Sequence, residues 1–239
     1  MPKSNRVALV LSCEHAGNRV PAAYQKLFRG KKSVLASHLG WDPGAIDIAR
    51  TIARETGAPL LANTVSRLVV ETNRSIGPKI FSEFSRGLTR EERKQLVDRH
   101  YLPHRGAVEA VIRSALREHD RVVHVGVHTF TPVLKGKKRT ADVGLLFDPK
   151  RKAEVDFCEV WLHALHWEAP LLRVKKNYPY KGSSDGLTTA LRDKFPAKRY
   201  VGIELEVNQA LAIGPARRFT DIPNRIARSL ALLIGPDDD

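Results

Sequence analysis

Apolar residues fall along the chain in two kinds of run. Short runs rich in Val, Ile and Leu read as buried strands: Val7 to Ser12, Arg121 to His128, Val143 to Phe147 and Tyr200 to Val207. Pro59 to Leu61, Arg67 to Thr72 and Leu171 to Val174 are shorter strand candidates. Longer amphipathic runs lie between them. Asp42-Pro43 predicts a helix start, with Asp42 as N-cap and Pro43 in the first turn, and the helix runs to about Thr56 before Gly57 closes it. A helical region spans about Thr89 to Glu118, with Val108, Val111, Ile112 and Ala115 forming one stripe and Pro103 predicting a kink or restart. Val155 to His166 and Asp221 to Ile234 read as further helices, and Asn177 to Gly186 as a loop rich in Tyr, Pro, Gly and Ser. Strands alternating with helices predict an α/β sheet protein. The chain is read as a single domain over 1–239, with 236–239 as a frayed acidic tail.

Composition narrows the class. The 239 residues are 42% hydrophobic, enough for an ordinary globular core. No window holds the ~18 uncharged apolar residues of a membrane span. The start of the chain lacks a signal-peptide pattern, and two cysteines, Cys13 and Cys158, suggest no disulfide framework, so a cytoplasmic setting is expected. The net charge is +14, from 40 Lys+Arg against 26 Asp+Glu, which favours anionic partners. The basic runs around Arg29 and Lys135 read as solvated loops. A basic nucleic-acid-binding protein is the rival reading, but no helix-turn-helix, finger or RNP pattern is present.

Side chains on a strand alternate between two faces. In Val122 to His128, the valines Val123, Val125 and Val127 share one face, and His124, Gly126 and His128 the other. In Val201 to Val207, Gly202, Glu204 and Glu206 share the face opposite Val201, Ile203, Leu205 and Val207. Carboxylates on a buried strand are costly unless paired or bound to a cation. One wet sheet face is the ordinary alternative. His128 and Glu206 lie toward the carboxyl ends of their strands, where ligands bind in open α/β sheets. The first strand likewise ends in Cys13-Glu14-His15-Ala16-Gly17-Asn18. Three strand ends therefore present His15, His128 and Glu206, residue types suited to a catalytic zinc.

These segments, together with Ser66-Arg67-Leu68-Val69-Val70-Glu71-Thr72-Asn73-Arg74, Val127-His128-Thr129-Phe130, Asn177-Tyr178-Pro179-Tyr180 and Ile203-Glu204-Leu205-Glu206, occur in the order seen in N-formylglutamate amidohydrolases. The resemblance runs from about residue 7 to 210. It implies a fold similar to zinc carboxypeptidases and aspartoacylases: three layers, α/β/α, around a mixed, mostly parallel sheet with one zinc. By that resemblance His15 and His128 are zinc ligands, and Asp42 or Glu14 supplies the third. The family's Pro-His-Ser-Gly is here Glu14-His15-Ala16-Gly17, and Asn18 stands where the carboxypeptidase-like pair has its glutamate. Asn73 and Arg74 resemble the pair that grips a substrate carboxylate, and Glu206 the late-strand general base.

The expected activity is metal-dependent hydrolysis of a small anionic N-formyl or N-acyl amino acid, N-formylglutamate first among them; a relative that binds acidic ligands without turnover is a further alternative. Arg67 is expected to stabilise the oxyanion, with a salt bridge to Glu71 as its structural alternative. Tyr178 and Tyr180 are candidates for a lid or a hydrogen bond to substrate, and Glu204 for the substrate site or the base. His100 and His104 stand at i, i+4, but Pro103 between them and Tyr101 beside them point to packing. His163 and His166 read as ordinary helix histidines. Cys13 is a poor nucleophile, because the adjacent Glu14 disfavours its thiolate.

Overall fold

A computed structural model describes residues 6–213 and 221–234. The expected tail at 236–239 lies outside the described residues. Six strands form one sheet in the order β2-β1-β3-β8-β6-β7: β1 (Val7–Cys13), β2 (Leu60–Ala62), β3 (Arg121–Phe130), β6 (Val143–Leu146), β7 (Val174–Lys176) and β8 (Tyr200–Asn208). β2, β1, β3 and β8 run parallel; β6 is antiparallel to β8, and β7 is parallel to β6. The sheet is thus mixed and mostly parallel, as expected.

The predicted alternation of faces holds. Leu9, Leu11, Val123, Val125, Val127, Val201, Ile203, Leu205 and Val207 pack in one core with α2 (Ala45–Thr56), α5 (Lys152–Glu168) and α8 (Ile222–Ile234). On the opposite face Val10, Val122 and Tyr200 pack with α4 (Leu102–Glu118) and α6 (Leu187–Arg192). The result is three layers with helices on both sides. A further cluster, containing Phe28, Val69, Val70, Ile80, Leu96 and Tyr101, gathers the 65–101 region. Among the described residues no helix is long and apolar enough to cross a membrane.

Several boundaries differ from the sequence reading. Arg67 to Thr72 is a series of turns, not a strand; its amides bond locally, as Val69 N–H does to Ser66 O at 2.9 Å. Its apolar residues fill the third cluster, which gives a strand-like composition without a sheet partner. The helix after Asp42 starts at Ala45, with Gly44 as N-cap at φ 85°, so the Asp42 side chain is not used as a cap. The long helical region divides into α3 (Arg90–Leu96), a wider turn at Val97–Tyr101, and α4. Pro103, which lacks an N–H, falls in the first turn of α4, where it costs least. The expected strand at Leu171–Val174 is displaced to Val174–Lys176. The remaining elements are α1 (Lys32–Ala36), α7 (Gln209–Ala212), 3-10 turns at Ala22–Phe28 and Pro78–Ile80, and a hairpin of β4 (Val133–Leu134) with β5 (Lys137–Lys138). Lys135 and Gly136 both have positive φ, 50° and 74°, as a tight two-residue hairpin turn requires. The basic run there thus forms a hairpin rather than an irregular loop.

Candidate metal and active site

β1, β3 and β8 run parallel, so their carboxyl ends open on one edge of the sheet. His15 lies two residues beyond the end of β1, and His128 and Glu206 are paired neighbours on β3 and β8. Asp42 reaches the same point from the turn before α2, where its backbone N–H donates to His15 O at 3.0 Å. One ligand atom from each of His15, Asp42 and His128 lies within 4.8 Å of the others. The Nδ1 atoms of His15 and His128 stand 3.2 and 3.0 Å from the same oxygen, Asp42 Oδ2.

The outer nitrogens of both rings face carboxylates. His15 Nε2 lies 2.5 Å from Glu71 Oε1, and His128 Nε2 lies 3.0 Å from Glu14 Oε2. Glu71 is held by Arg67, whose Nη2 is 2.7 Å from Oε2, and Arg67 Nη1 reaches Asp42 Oδ1 at 3.2 Å. Glu14 Oε1 is met from α4 by His104 Nε2 at 3.3 Å. A carboxylate on the far nitrogen fixes the tautomer of a metal-binding histidine and aims its other lone pair inward. The two rings are so oriented, with Nδ1 of each turned to one point.

Electrostatics point the same way. The described group is rich in carboxylates (Glu14, Asp42, Glu71, Glu204 and Glu206), and Arg67 is the guanidinium paired among them. Burial alone would raise the Asp42 and Glu71 carboxyls. The charges of His15 and Arg67 outweigh it and hold both well below the usual carboxylate range. His128 is held well above its ordinary value despite burial, by hydrogen bonds and charge from Asp42 and Glu14. Glu206 behaves differently. It is 6% exposed, its Oε2 has no hydrogen-bond partner among the described residues, and burial, with Asp42 and Glu204 nearby, pushes it up to about 8.

The donor set His15, Asp42 and His128 fits a divalent cation of zinc type: two imidazole nitrogens and one carboxylate oxygen, each oriented from behind. Glu14, the alternative third ligand, instead stands behind His128. A cleft of about 230 Å³ opens over the triad, lined by Arg67, Asn73, Arg74, Tyr180, Lys181, Ser184, Asp185, Glu204 and Glu206 among others. Asn73 donates to Glu204 Oε1 at 3.3 Å and accepts from Leu187 N–H at 2.7 Å. Arg74 Nη1 donates to the Asp185 carbonyl at 2.6 Å. Tyr180 accepts from Arg139 Nη2 at 3.1 Å. Tyr178 is not part of this lining; its hydroxyl accepts from Thr140 N–H at 3.2 Å, and its ring packs edge-on to Phe130.

Glu71 was legible only as a salt-bridge partner of Arg67, and Glu14–His104 not at all. His104 carries an ambiguous signal: its i, i+4 partner His100 does not share its contact, and its carboxylate comes from a remote strand end.

Fold and site together define an α/β protein with a candidate hydrolytic metal centre at the carboxyl edge of its sheet. The family model for N-formylglutamate amidohydrolase matches residues 7–213, and the chain belongs to that family. Among solved structures, the gene product Atu2144 from Agrobacterium tumefaciens is 28% identical with TM-score 0.76, over 95% of this chain and 92% of that one. N-formylglutamate amidohydrolase from Ralstonia eutropha JMP134 is 20% identical with TM-score 0.67, over 98% of this chain and 93% of that one. Among curated proteins, none matches the chain in sequence.

Proposed function

We propose that this chain is a metal-dependent amidohydrolase that cleaves N-formyl or N-acyl amino acids, with N-formylglutamate, giving formate and glutamate, as the leading substrate. The reading treats the chain as one hydrolytic domain acting in the cytoplasm, related in mechanism to zinc carboxypeptidases and aspartoacylases. The observation that carries it is the convergence of His15, Asp42 and His128, in a member of this family, beside a buried carboxyl that burial holds ready to carry a proton.

His15, Asp42 and His128 would hold the cation. A bound divalent cation supplies Lewis acidity, which makes water acidic near neutral pH and polarises an amide carbonyl. Glu206 takes the proton released as water adds to the acyl carbon. It returns that proton to the amide nitrogen as the C–N bond breaks, so the products are a carboxylic acid and an amine. Burial pushes Glu206 up to about 8, and an adjacent positive charge would lower it toward neutrality, which suits a group that must both accept and donate. Arg67 stabilises charge on the carbonyl oxygen, and its own pairing with Glu71 and Asp42 keeps it fixed for that task. Arg74 receives the substrate carboxylate, which its planar fork can hold in two bonds. Asn73 and Glu204 set the wall behind it, and Tyr180 covers the cleft.

Zinc-supplemented protein should release amine from N-formylglutamate, read against a panel of N-formyl and N-acyl amino acids. Glu206→Gln should keep its metal and lose about 10²-fold or more in kcat. A wild-type protein that hydrolyses none of the panel contradicts the proposal, and a Glu206→Gln variant near wild-type rate removes Glu206 from the proton-transfer role.

A further inference from the structure

The metal centre has a second compartment. A cavity of about 330 Å³ shares Asp42, Arg67, Thr129 and Tyr180 with the substrate cleft but is otherwise lined by His38, Leu39, Phe130, Thr131, Leu134 and Gln209. Its character differs from the first. The cleft on the Arg74 side is walled by charged and polar groups: Asn73, Arg74, Lys181, Asp185 and Glu204. The second compartment is edged by three large apolar side chains, Leu39, Phe130 and Leu134. Leu39 and Leu134 are 52% and 39% exposed, although each borders a cavity. Leu134 belongs to the β4–β5 hairpin, which is anchored beside the site where Arg139 stacks on both Phe130 and Tyr180, 5.6 and 5.1 Å from their ring centres.

A formyl group is one carbon and does not need such space. An N-acyl amino acid spans the centre with its carboxylate at one end and its acyl carbon at the other. With the carboxylate at Arg74 and the carbonyl at the triad, the acyl tail points into the Leu39–Phe130–Leu134 compartment. We infer that this compartment is an acyl-chain subsite, and that the chain hydrolyses N-acyl amino acids with short aliphatic tails, not formyl compounds alone. This rests on the amidohydrolase reading above. The reaction is the same: water adds to the acyl carbon, the C–N bond breaks, and the nitrogen takes the proton, releasing a short fatty acid and the amino acid. Apolar contact made by each added methylene is then gained from a surface that is otherwise exposed to water.

The test is kcat/KM for one amino acid carrying formyl, acetyl, butyryl or hexanoyl groups, measured with the zinc-loaded protein. From acetyl to butyryl we expect a rise of about threefold per methylene. In the double variant Leu39→Asp, Leu134→Asp, the butyryl-to-acetyl ratio should fall about tenfold. A circular dichroism spectrum matching wild type, and a measurable rate on the acetyl compound, establish that the variant is folded and competent. Hydrolysis of the formyl compound with rates that decline from acetyl to hexanoyl would overturn the subsite while leaving the amidohydrolase reading intact. An unchanged ratio in the double variant would overturn the assignment of these walls. Hydrolysis of none of the four would overturn both readings.

Discussion

His124 and His128 lie four residues apart on β3 and face the same way, yet their surroundings give them different chemistry. His124 is fully buried between two hydroxyls, Ser12 Oγ at 2.8 Å from Nε2 and Tyr200 Oη at 2.8 Å from Nδ1. Hydroxyls can donate or accept, so both satisfy a neutral ring. Burial lowers this histidine to about 4, against an ordinary 6.5. The unfolded chain therefore takes up the proton first as pH falls. The stability linked to His124 is complete above about pH 6.5 and declines as pH drops toward 4, by about 3 kcal/mol in all. Urea unfolding of wild type and His124→Gln should show it: wild type loses about 3 kcal/mol more than the variant between pH 7 and 4. Parallel curves would mean that His124 does not enter the folded state neutral. Strand alternation made His124, His128, Glu204 and Glu206 visible in sequence as one face. Position toward the strand ends set His128 and Glu206 apart, but the hydroxyls that keep His124 neutral come from remote segments and were not visible. Asp42 has the same history. Asp-Pro-Gly reads as a helix start, but a left-handed Gly44 delays the helix and leaves the carboxylate for His15, His128 and Arg67.

At the scale of elements, strong periodic signals came through and the connecting segments did not. β1, β3, β6 and β8 stand close to where period-two alternation puts them, because a residue shift would exchange core and polar faces. The 67–72 segment misled because its β-branched residues are buried in a helical and turn-rich cluster, where composition resembles that of a strand. β6 is a further case. Its Gly144 is paired in register with Glu206 on β8, and a Cβ at Gly144 would stand 1.8 Å from the Tyr178 carbonyl oxygen. The loop after β7 thus crosses β6 in direct backbone contact, close to the proposed base. Gly144→Ala should push that loop away and cost roughly 1–3 kcal/mol, as overpacking does. The denaturant midpoint reads this directly; a midpoint equal to wild type would show that the loop is not packed against the strand.

At the scale of the whole molecule, the arrangement follows from strand direction. Three parallel strands deliver His15, His128 and Glu206 to one edge of the sheet, and β6 runs the opposite way to place a glycine, not a side chain, beside Glu206. The helices on both faces cover the apolar positions and leave this edge open. Residues far apart in sequence meet there without any short motif, so the site could be anticipated from strand ends and family resemblance but its supporting carboxylates could not. Glu71 and Glu14 orient the two imidazoles from behind, and Arg67 and His104 hold those carboxylates in turn. The central claim is that His15, Asp42 and His128 hold one divalent cation. Elemental analysis of zinc-loaded, desalted protein tests it most directly. The account predicts one zinc per wild-type chain and loss of that zinc in both His15→Ala and His128→Ala, each still folded by circular dichroism. Full retention of zinc by either folded variant would contradict it.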